Sequence, residues 1–144
     1  MKDCDAVIHL AALIGIPYSY VSPLAYIKTN VEGTYNVLES CRKNLITKTI
    51  ITSTSEVYGK SKIFPINENQ PLVGQSPYSA SKASSDHFVR AYFETHNLPV
   101  IITNCSNNFG PYQNKEKFIP TIISSLINKK NIPVYGDGKN IREW

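Results

Sequence analysis

The chain has 144 residues, of which 42% are hydrophobic and 18% charged, a composition typical of one globular domain with a sizeable core rather than of a disordered or fibrous protein. Its net charge of +4 is spread along the sequence without a basic block, so we expect no nucleic-acid partner. No apolar run reaches the roughly 18 residues that cross a bilayer, and the acidic N-terminus has no signal-peptide layout, so we expect a cytoplasmic protein with no membrane partner.

The first part of the chain is predicted to form a strand, a helix and a second strand. Residues 5–10 are apolar and β-branched, which predicts a buried strand. After a proline-containing loop, a helix is predicted over residues 24–44, closed by Asn44. Residues 48–53, dominated by Thr and Ile, predict the second strand. Steps of three and four residues trace one face of the helix, formed by Leu24, Ile27, Val31, Tyr35 and Leu38.

The rest of the chain repeats the alternation. Residues 59–77 are rich in Pro, Asn, Gly and Ser and predict a long loop of the kind that is often functional. A helix is predicted from Pro77 to about Thr95, capped by Ser76. Residues 99–104 predict the third strand, and a last short strand is predicted over residues 133–135. One side of the second helix carries Ala80, Ser84, Phe88, Ala91 and Tyr92, and a third helix carries Phe118, Ile122, Ile123, Leu126 and Ile127.

This alternation predicts an α/β fold in which crossover helices cover both faces of a parallel sheet. In such sheets ligands bind at the carboxyl ends of the strands. The segments that follow the three strands, residues 11–22, 54–78 and 105–117, are therefore the candidate site.

A tyrosine and a lysine form the first candidate pair. Tyr78 and Lys82 are four residues apart on a predicted helix and share one face of it. A nearby ammonium favours the phenolate, so Lys82 is expected to lower the pKa of Tyr78 and make it a base for a sugar hydroxyl. The same spacing occurs twice more, but in glycine-containing turns that do not align the side chains. The alternative is a tyrosine at the edge of the core beside a lysine paired with Asp86.

Hydroxyl and carboxyl groups directly follow the second strand. Thr54 and Ser55 are candidates for binding a substrate hydroxyl, and Glu56 for removing a proton from a carbon next to a carbonyl. The alternative is that the hydroxyls end the strand and Glu56 is a surface carboxylate. After the third strand, residues 104–112 carry paired amides that suit a sugar or a nicotinamide, although turn chemistry favours the same residue types.

No metal site or disulfide is predicted. The cysteines Cys4, Cys41 and Cys105 lie far apart and form no CxxC pair, and the three histidines show no ligand spacing.

Together and in this order, these motifs resemble the extended short-chain dehydrogenase/reductase family, and within it the nucleotide-sugar 4,6-dehydratases. The likeness is greatest to the enzymes that act on dTDP-glucose, and it covers essentially the whole chain. It is carried by His9–Ala12, Thr29–Tyr35, Thr54–Gly59, Pro77–Lys82, Thr103–Tyr112, Glu116–Lys117, Ile119–Pro120 and Ile141–Trp144.

The resemblance implies a Rossmann-like fold, NAD as cofactor, a nucleotide-diphosphate sugar as substrate, and a role for each matched residue. Tyr78 would take the proton of the sugar 4-hydroxyl, Lys82 would hold the nicotinamide ribose, Thr54 would bind the 4-oxygen and Glu56 would take the C5 proton. Cofactor positions are matched by Leu10, Ala11, Ala12, Thr29, Tyr78, Lys82 and Asn108. Substrate positions are matched by Thr54, Asn107, Lys117, Phe118, Tyr135 and Arg142.

Two departures leave the sugar nucleotide open. Ser55 stands where the dTDP-glucose enzymes carry an acidic aspartate, so a water or Glu56 would have to protonate the leaving hydroxyl. GDP-mannose dehydratases share the Thr-Ser-Glu sequence, and residues 13–20 look more like relatives that act on GDP- or UDP-linked N-acetylated sugars. The alternatives are therefore such a dehydratase, a 4-epimerase or decarboxylase of the same family, or an inactive fragment or binding module.

The chain is also expected to be a partial Rossmann-like unit. It lacks a G-x-x-G-x-x-G loop for a pyrophosphate, so we expect it to bind NAD weakly or not at all. Residues 1–112 are predicted to be the central part of the NAD-binding domain and residues 113–144 the start of the substrate-binding region. By analogy with the family, the full-length protein is expected to be a homodimer assembled through the helices at residues 24–44 and 78–95.

Overall fold

The structure is a computed structural model that describes residues 1, 3–61, 64–134 and 136–139. It divides into two compact units, Met1–Cys105 and Ser106–Trp144. The boundary between these units falls shortly before residue 112, where the sequence places the end of the first domain.

The first unit is built on a parallel sheet of three strands in the order β1 (Val7–His9), β2 (Thr49–Thr52) and β3 (Val100–Thr103). All three strands were predicted, and each predicted strand extends slightly beyond both ends of the strand in the structure. Their apolar, β-branched composition suits strands in a sheet of this type.

Helices separate these strands along the chain. Helix α1 (Ile16–Val21), helix α2 (Pro23–Tyr26), a π-helical turn (Ile27–Glu32) and helix α3 (Gly33–Lys43) lie between β1 and β2. A 3-10 turn (Ser55–Tyr58) and helix α4 (Pro77–His96) lie between β2 and β3. Asn44 closes α3, and α4 starts from a capping box formed by Ser76 and Ser79, so both predicted helix ends are confirmed.

Helices α3 and α4 cover one face of the sheet. Both connections run in the same direction along the sheet, and right-handed crossovers then place both helices on the same side. Their shared core consists of Leu38, Cys41, Ile46, Ile51, Val89 and Leu98.

The expectation that helices cover both faces is wrong for the first unit as far as the structure describes it. The opposite face carries Ile8, Ile50 and Ile101 in register across the three strands. Ile8 and Ile101 are each 63% exposed.

The apolar faces predicted for two helices are mostly not the faces that are buried. Of the five residues predicted on the first helix face only Leu38 is fully buried, while Leu24, Ile27 and Tyr35 are exposed. On α4 the exposed side includes Phe88, whereas the buried side is largely polar. That buried side is formed by Tyr78, Ser79, Ser81, Lys82, Ala83, Ser85, Asp86 and Val89.

The long loop after the 3-10 turn has no helix or strand in its described parts, as predicted. Its course is fixed by Val73, whose backbone N–H donates to the Val57 carbonyl oxygen over 2.7 Å. Gly59 has φ +62°, and a Cβ there would lie 2.3 Å from the Val73 carbonyl oxygen, so the close approach of the two segments requires glycine.

The second unit contains helix α5 (Phe118–Ile127), which confirms the third predicted helix. Pro133 and Val134 are not in a strand, so that part of the last strand prediction is wrong, and Tyr135 lies outside the described residues. A run of three residues beginning with proline offers little ladder pairing to stabilise a strand. None of the helices in the described part of the chain is both long and apolar enough to cross a membrane.

Candidate active site

The candidate site begins where β2 ends. Thr54 is in an extended conformation, and its Oγ1 accepts a hydrogen bond from the Glu56 backbone N–H over 3.2 Å, which caps the 3-10 turn. The Ser55 backbone N–H donates to the Cys105 carbonyl oxygen over 2.9 Å and ties the turn to the segment after β3. The local sequence Thr-Ser-Glu therefore places a hydroxyl and a carboxylate at the tip of the strand, as the sequence predicts.

Tyr78, in the first turn of α4, is brought to this tip. Its ring packs edge to face against Tyr26, with ring centroids 6.2 Å apart. Burial raises the pKa of Tyr78, the hydrogen-bonding Thr54 side chain opposes that shift, and the negative charge of Glu56 adds to it. The structure thus assembles Tyr78, Thr54 and Glu56 at one place, although they come from two separate segments of the chain.

The predicted lowering of the Tyr78 pKa is wrong, because burial raises this pKa. The ammonium expected to stabilise the phenolate is directed elsewhere: Lys82 Nζ donates to the Thr52 carbonyl oxygen over 2.7 Å. The four-residue spacing places Tyr78 and Lys82 on the same side of the helix, and both are buried, but burial dominates the titration of the phenol.

Lys82 is only 3% exposed. Burial lowers the pKa of Lys82, and the charge of Asp86, one turn further along α4, opposes the shift. At the end of β1, His9 Nε2 lies 3.2 Å from Thr34 Oγ1. The pKa of His9 is lowered by burial first and by the charge of Lys82 second, so His9 also lies close to this ammonium.

The segment after β1 contributes a second wall. Leu10 and Ala11 are exposed and Ala12 is half-buried, and Thr29 is exposed on the π-helical turn. These predicted cofactor positions are linked through the residues next to them, because Leu13 and Asn30 form two hydrogen bonds.

Asn30 is the main residue of this region that the sequence did not single out. Its side chain accepts from the Leu13 backbone N–H (2.8 Å) and donates to the Leu13 carbonyl oxygen (3.0 Å) and to Ser81 Oγ (2.9 Å). Its own carbonyl oxygen accepts from Ser85 Oγ over 2.8 Å. Asn30 is fully buried in the π-helical turn, a feature frequent at functional sites, and it joins the loop after β1 to α4 beside Lys82. Its signals in the sequence are an asparagine inside a predicted helix and a place in the stretch Thr29–Tyr35, which resembles the family.

The remaining predicted residues belong to the second unit. Asn107 and Asn108 are exposed, and the Asn108 carbonyl oxygen accepts from the Gln113 side chain over 2.8 Å. Lys117 is half-buried at the start of α5, and Phe118, the first residue of that helix, is exposed. Tyr135 and Arg142 lie outside the described residues. Among the residues that the structure describes, no group of three His, Cys, Asp or Glu side chains is placed to hold a metal ion.

A parallel α/β sheet with a buried tyrosine–lysine pair facing a threonine and a carboxylate defines a Rossmann-like unit of the short-chain dehydrogenase/reductase type. The protein family described as GDP-mannose 4,6 dehydratase matches residues 1–144, and the chain belongs to this family.

Relatives and solved structures agree with this assignment. A dTDP-glucose 4,6-dehydratase from Streptomyces antibioticus is 43% identical over 144 residues, which are 100% of this chain and 43% of the relative. The crystal structure of a dTDP-glucose 4,6-dehydratase double mutant from Streptomyces venezuelae with NAD bound superposes with a TM-score of 0.92 at 40% identity, covering 99% of this chain and 44% of that one. A UDP-N-acetylglucosamine 4-epimerase from Methanobrevibacter ruminantium gives a TM-score of 0.92 at 35% identity, covering 98% of this chain and 47% of that one. The chain thus spans less than half the length of these relatives.

Proposed function

We propose that this chain supplies the catalytic centre of a nucleotide-sugar 4,6-dehydratase, an NAD-dependent lyase that converts dTDP-glucose to dTDP-4-keto-6-deoxyglucose. The observation that carries the proposal is the meeting of Tyr78, Thr54 and Glu56 at the end of β2, with the Lys82 ammonium buried one helical turn away. In this proposal residues 1–112 are the central part of the NAD-binding domain and residues 113–144 begin the substrate-binding region.

The chain's own residues fit the nicotinamide end of NAD but not its pyrophosphate. Tyr78 and the buried Lys82 ammonium suit hydroxyl groups of a ribose. The seven glycines form no G-x-x-G-x-x-G loop, so no backbone cradle for the pyrophosphate is supplied by this sequence. When bound, NAD supplies the hydride chemistry, accepting a hydride from C4 of the sugar and returning it to C6.

The proton transfers are assigned to the side chains of Tyr78 and Glu56. Tyr78 takes the proton of the 4-hydroxyl while Thr54 holds the same oxygen by a hydrogen bond. The resulting 4-ketone acidifies the C5 hydrogen, which Glu56 removes as water leaves from C6. Ser55 is a poor acid, so the leaving hydroxyl receives its proton from Glu56 or from a water. Asn107, Lys117, Phe118, Tyr135 and Arg142 are proposed to bind the substrate, the cations among them its diphosphate.

Because the pyrophosphate loop is missing from the sequence, we predict that the 144-residue chain does not bind NAD with micromolar affinity. Isothermal titration of NAD into the chain should give no saturable heat at micromolar concentrations. The dTDP-glucose 4,6-dehydratase from Streptomyces antibioticus serves as the positive control. A saturable micromolar isotherm would show that the pyrophosphate is held without a glycine loop.

Catalysis is tested in a chimera in which these 144 residues replace the matching stretch of the Streptomyces antibioticus relative, which aligns with all of this chain. We predict that this chimera converts dTDP-glucose to a product lighter by one water, detected by mass spectrometry. An isomer of unchanged mass would identify a 4-epimerase instead, a function favoured by the TM-score of 0.92 to the UDP-N-acetylglucosamine 4-epimerase. Loss of carbon dioxide from a UDP-uronic acid would identify a decarboxylase. No turnover by a folded chimera would favour an inactive fragment or binding module.

We also propose that the full-length protein is a homodimer assembled through its two long helical segments. The support lies in the reversed burial of these helices: Ile27 and Phe88 are 54% and 42% exposed, while the opposite side of α4 is polar and buried. An exposed apolar helix face of this kind is typical of an interface. We predict that the Ile27→Glu/Phe88→Glu double variant of the chimera sediments as a monomer while the parent chimera sediments as a dimer. The matched control is Leu45→Glu, which changes an 84% exposed leucine outside these helices.

A further inference from the structure

A buried carboxylate lies behind the candidate site and has no part in the proton transfers described above. Asp86 is on α4, one turn after Lys82, and is only 2% exposed. Its Oδ2 accepts a hydrogen bond from Ser53 Oγ over 2.6 Å. Its Oδ1 is buried and makes no hydrogen bond of full geometry with the described residues. Burial raises the pKa of Asp86, and the side chains of Ser53 and Asn104 oppose that shift. A carboxylate buried in this way is costly, so the contact it makes with Ser53 is of particular interest.

Ser53 lies between two residues that contact the proposed catalytic pair. On one side, the Thr52 carbonyl oxygen accepts from Lys82 Nζ, and on the other, the Thr54 side chain interacts with Tyr78. The Ser53 backbone N–H is held by the Thr103 carbonyl oxygen over 2.8 Å. The hydrogen bond from the Ser53 hydroxyl therefore attaches the end of β2 directly to Asp86 on α4, a side chain that is not itself proposed to react.

We propose that Asp86 is a positioning residue for this site: by holding Ser53, it keeps the end of β2 in register with α4, so that Thr52 receives the Lys82 hydrogen bond and Thr54 faces Tyr78. The inference deepens the proposed function and rests on it for its catalytic meaning. The geometric part of the proposal states that Asp86 controls the contact between Lys82 and Thr52. This part can be tested without any enzymatic activity.

Asp86 also acts on Lys82 through its charge. The charged and titratable groups that interact with Lys82 are Asp86 on its own helix and His9 on β1. Of these, Asp86 is the one whose negative charge opposes the lowering of the Lys82 pKa by burial. Removing that charge while keeping the shape of the side chain should therefore lower the Lys82 pKa further.

The test uses the 144-residue chain and two variants, Asp86→Asn and Ser53→Ala. The Thr52 carbonyl ¹³C resonance reports the hydrogen bond from Lys82, and the Lys82→Met variant gives its position without a donor. We expect both variants to move this resonance by about half or more of the wild-type-to-Met difference, because a hydrogen bond weakens steeply once it is misaligned. Titration of ¹³Cε-labelled Lys82 should show a lower pKa in Asp86→Asn. Glu94→Gln is the matched control, since it removes one exposed carboxylate from the same helix and should change neither signal.

Each outcome decides the matter. An unchanged Thr52 resonance in folded Asp86→Asn and Ser53→Ala would overturn the proposal, as would equal shifts in Glu94→Gln. If both variants lose their folded amide spectrum, the contact serves folding and the positioning role is refuted. Because neither readout needs substrate or cofactor, failure here is distinct from an inactive chimera, which would refute the proposed function alone.

Discussion

Tyr78→Phe is expected to lower kcat of the chimera by about 10²–10⁴-fold, the range that general base catalysis contributes. The substitution removes only the phenolic oxygen and keeps the ring that packs against Tyr26. The phenolic oxygen is the group assigned to take the proton of the 4-hydroxyl, so its loss removes the proposed base from the site. Initial rates of product formation from dTDP-glucose are the measurement.

The pH dependence of the same reaction should reflect the raised pKa of Tyr78. A base with a raised pKa is deprotonated only at higher pH, so the rate of sugar oxidation should increase with pH through the range where Tyr78 ionises. The residual rate of Tyr78→Phe should not show this dependence.

Tyr35→Phe provides the matched control for this prediction. Tyr35 is 42% exposed on α3, outside the three segments of the candidate site, and it loses the same oxygen atom in the variant. The rate of this variant should remain within about twofold of the parent, as expected for a surface change. If Tyr78→Phe retained a tenth or more of the parent rate, a different base would have to be assigned.

The sequence predicts the strands, α4 and the composition of the site because these depend on local chemistry. Ser76 and Pro77 define the start of α4 through capping, and Thr54 and Glu56 follow directly from the end of β2. Helix α1 was missed and assigned to a loop, because six residues beginning near a proline are too few to show a period of 3.6 residues.

The side that each helix buries was not predictable from periodicity. The spacing of Ile27, Tyr35 and Phe88 reveals an apolar face but does not say whether the sheet or another surface covers it. In this fold the buried side of α4 includes Ser85, which donates to the Asn30 carbonyl oxygen, and Asp86, which accepts from Ser53, and both look like surface residues in the sequence.

The direction of the Tyr78 pKa shift was unpredictable for a related reason. The spacing to Lys82 shows that an ammonium is near, but the partner of that ammonium comes from β2, thirty residues earlier in the chain. Long-range hydrogen bonds of this kind, like those between Asn30 and Leu13, appear only when the strands and helices are assembled. Such bonds determine which group the Lys82 ammonium contacts. Whether that ammonium lowers the pKa of Tyr78 depends on this contact.

Glu56→Gln is expected to separate the oxidation of the sugar from the loss of water. The amide keeps the shape of the side chain but has no basic oxygen for the C5 hydrogen, so elimination should slow by about 10²–10⁴-fold. Oxidation at C4 depends on Tyr78 instead and should persist. In heavy water the chimera places deuterium at C5 of the product, and the variant should form such product only at the reduced rate.

A second readout follows from the charge of Glu56. Since this negative charge contributes to the raised pKa of Tyr78, its removal should lower that pKa and move the rise in the oxidation rate to lower pH. Glu68→Gln, which neutralises an exposed carboxylate in the loop after the 3-10 turn, is the control and should leave both the elimination rate and the pH profile in place. Equal slowing of oxidation and elimination in Glu56→Gln, with no change in the pH profile, would show that Glu56 is not the base that removes the C5 hydrogen. The two readouts together therefore test whether the strand tip and the helix form one site, since only a carboxylate close to both the sugar C5 and the phenol changes both.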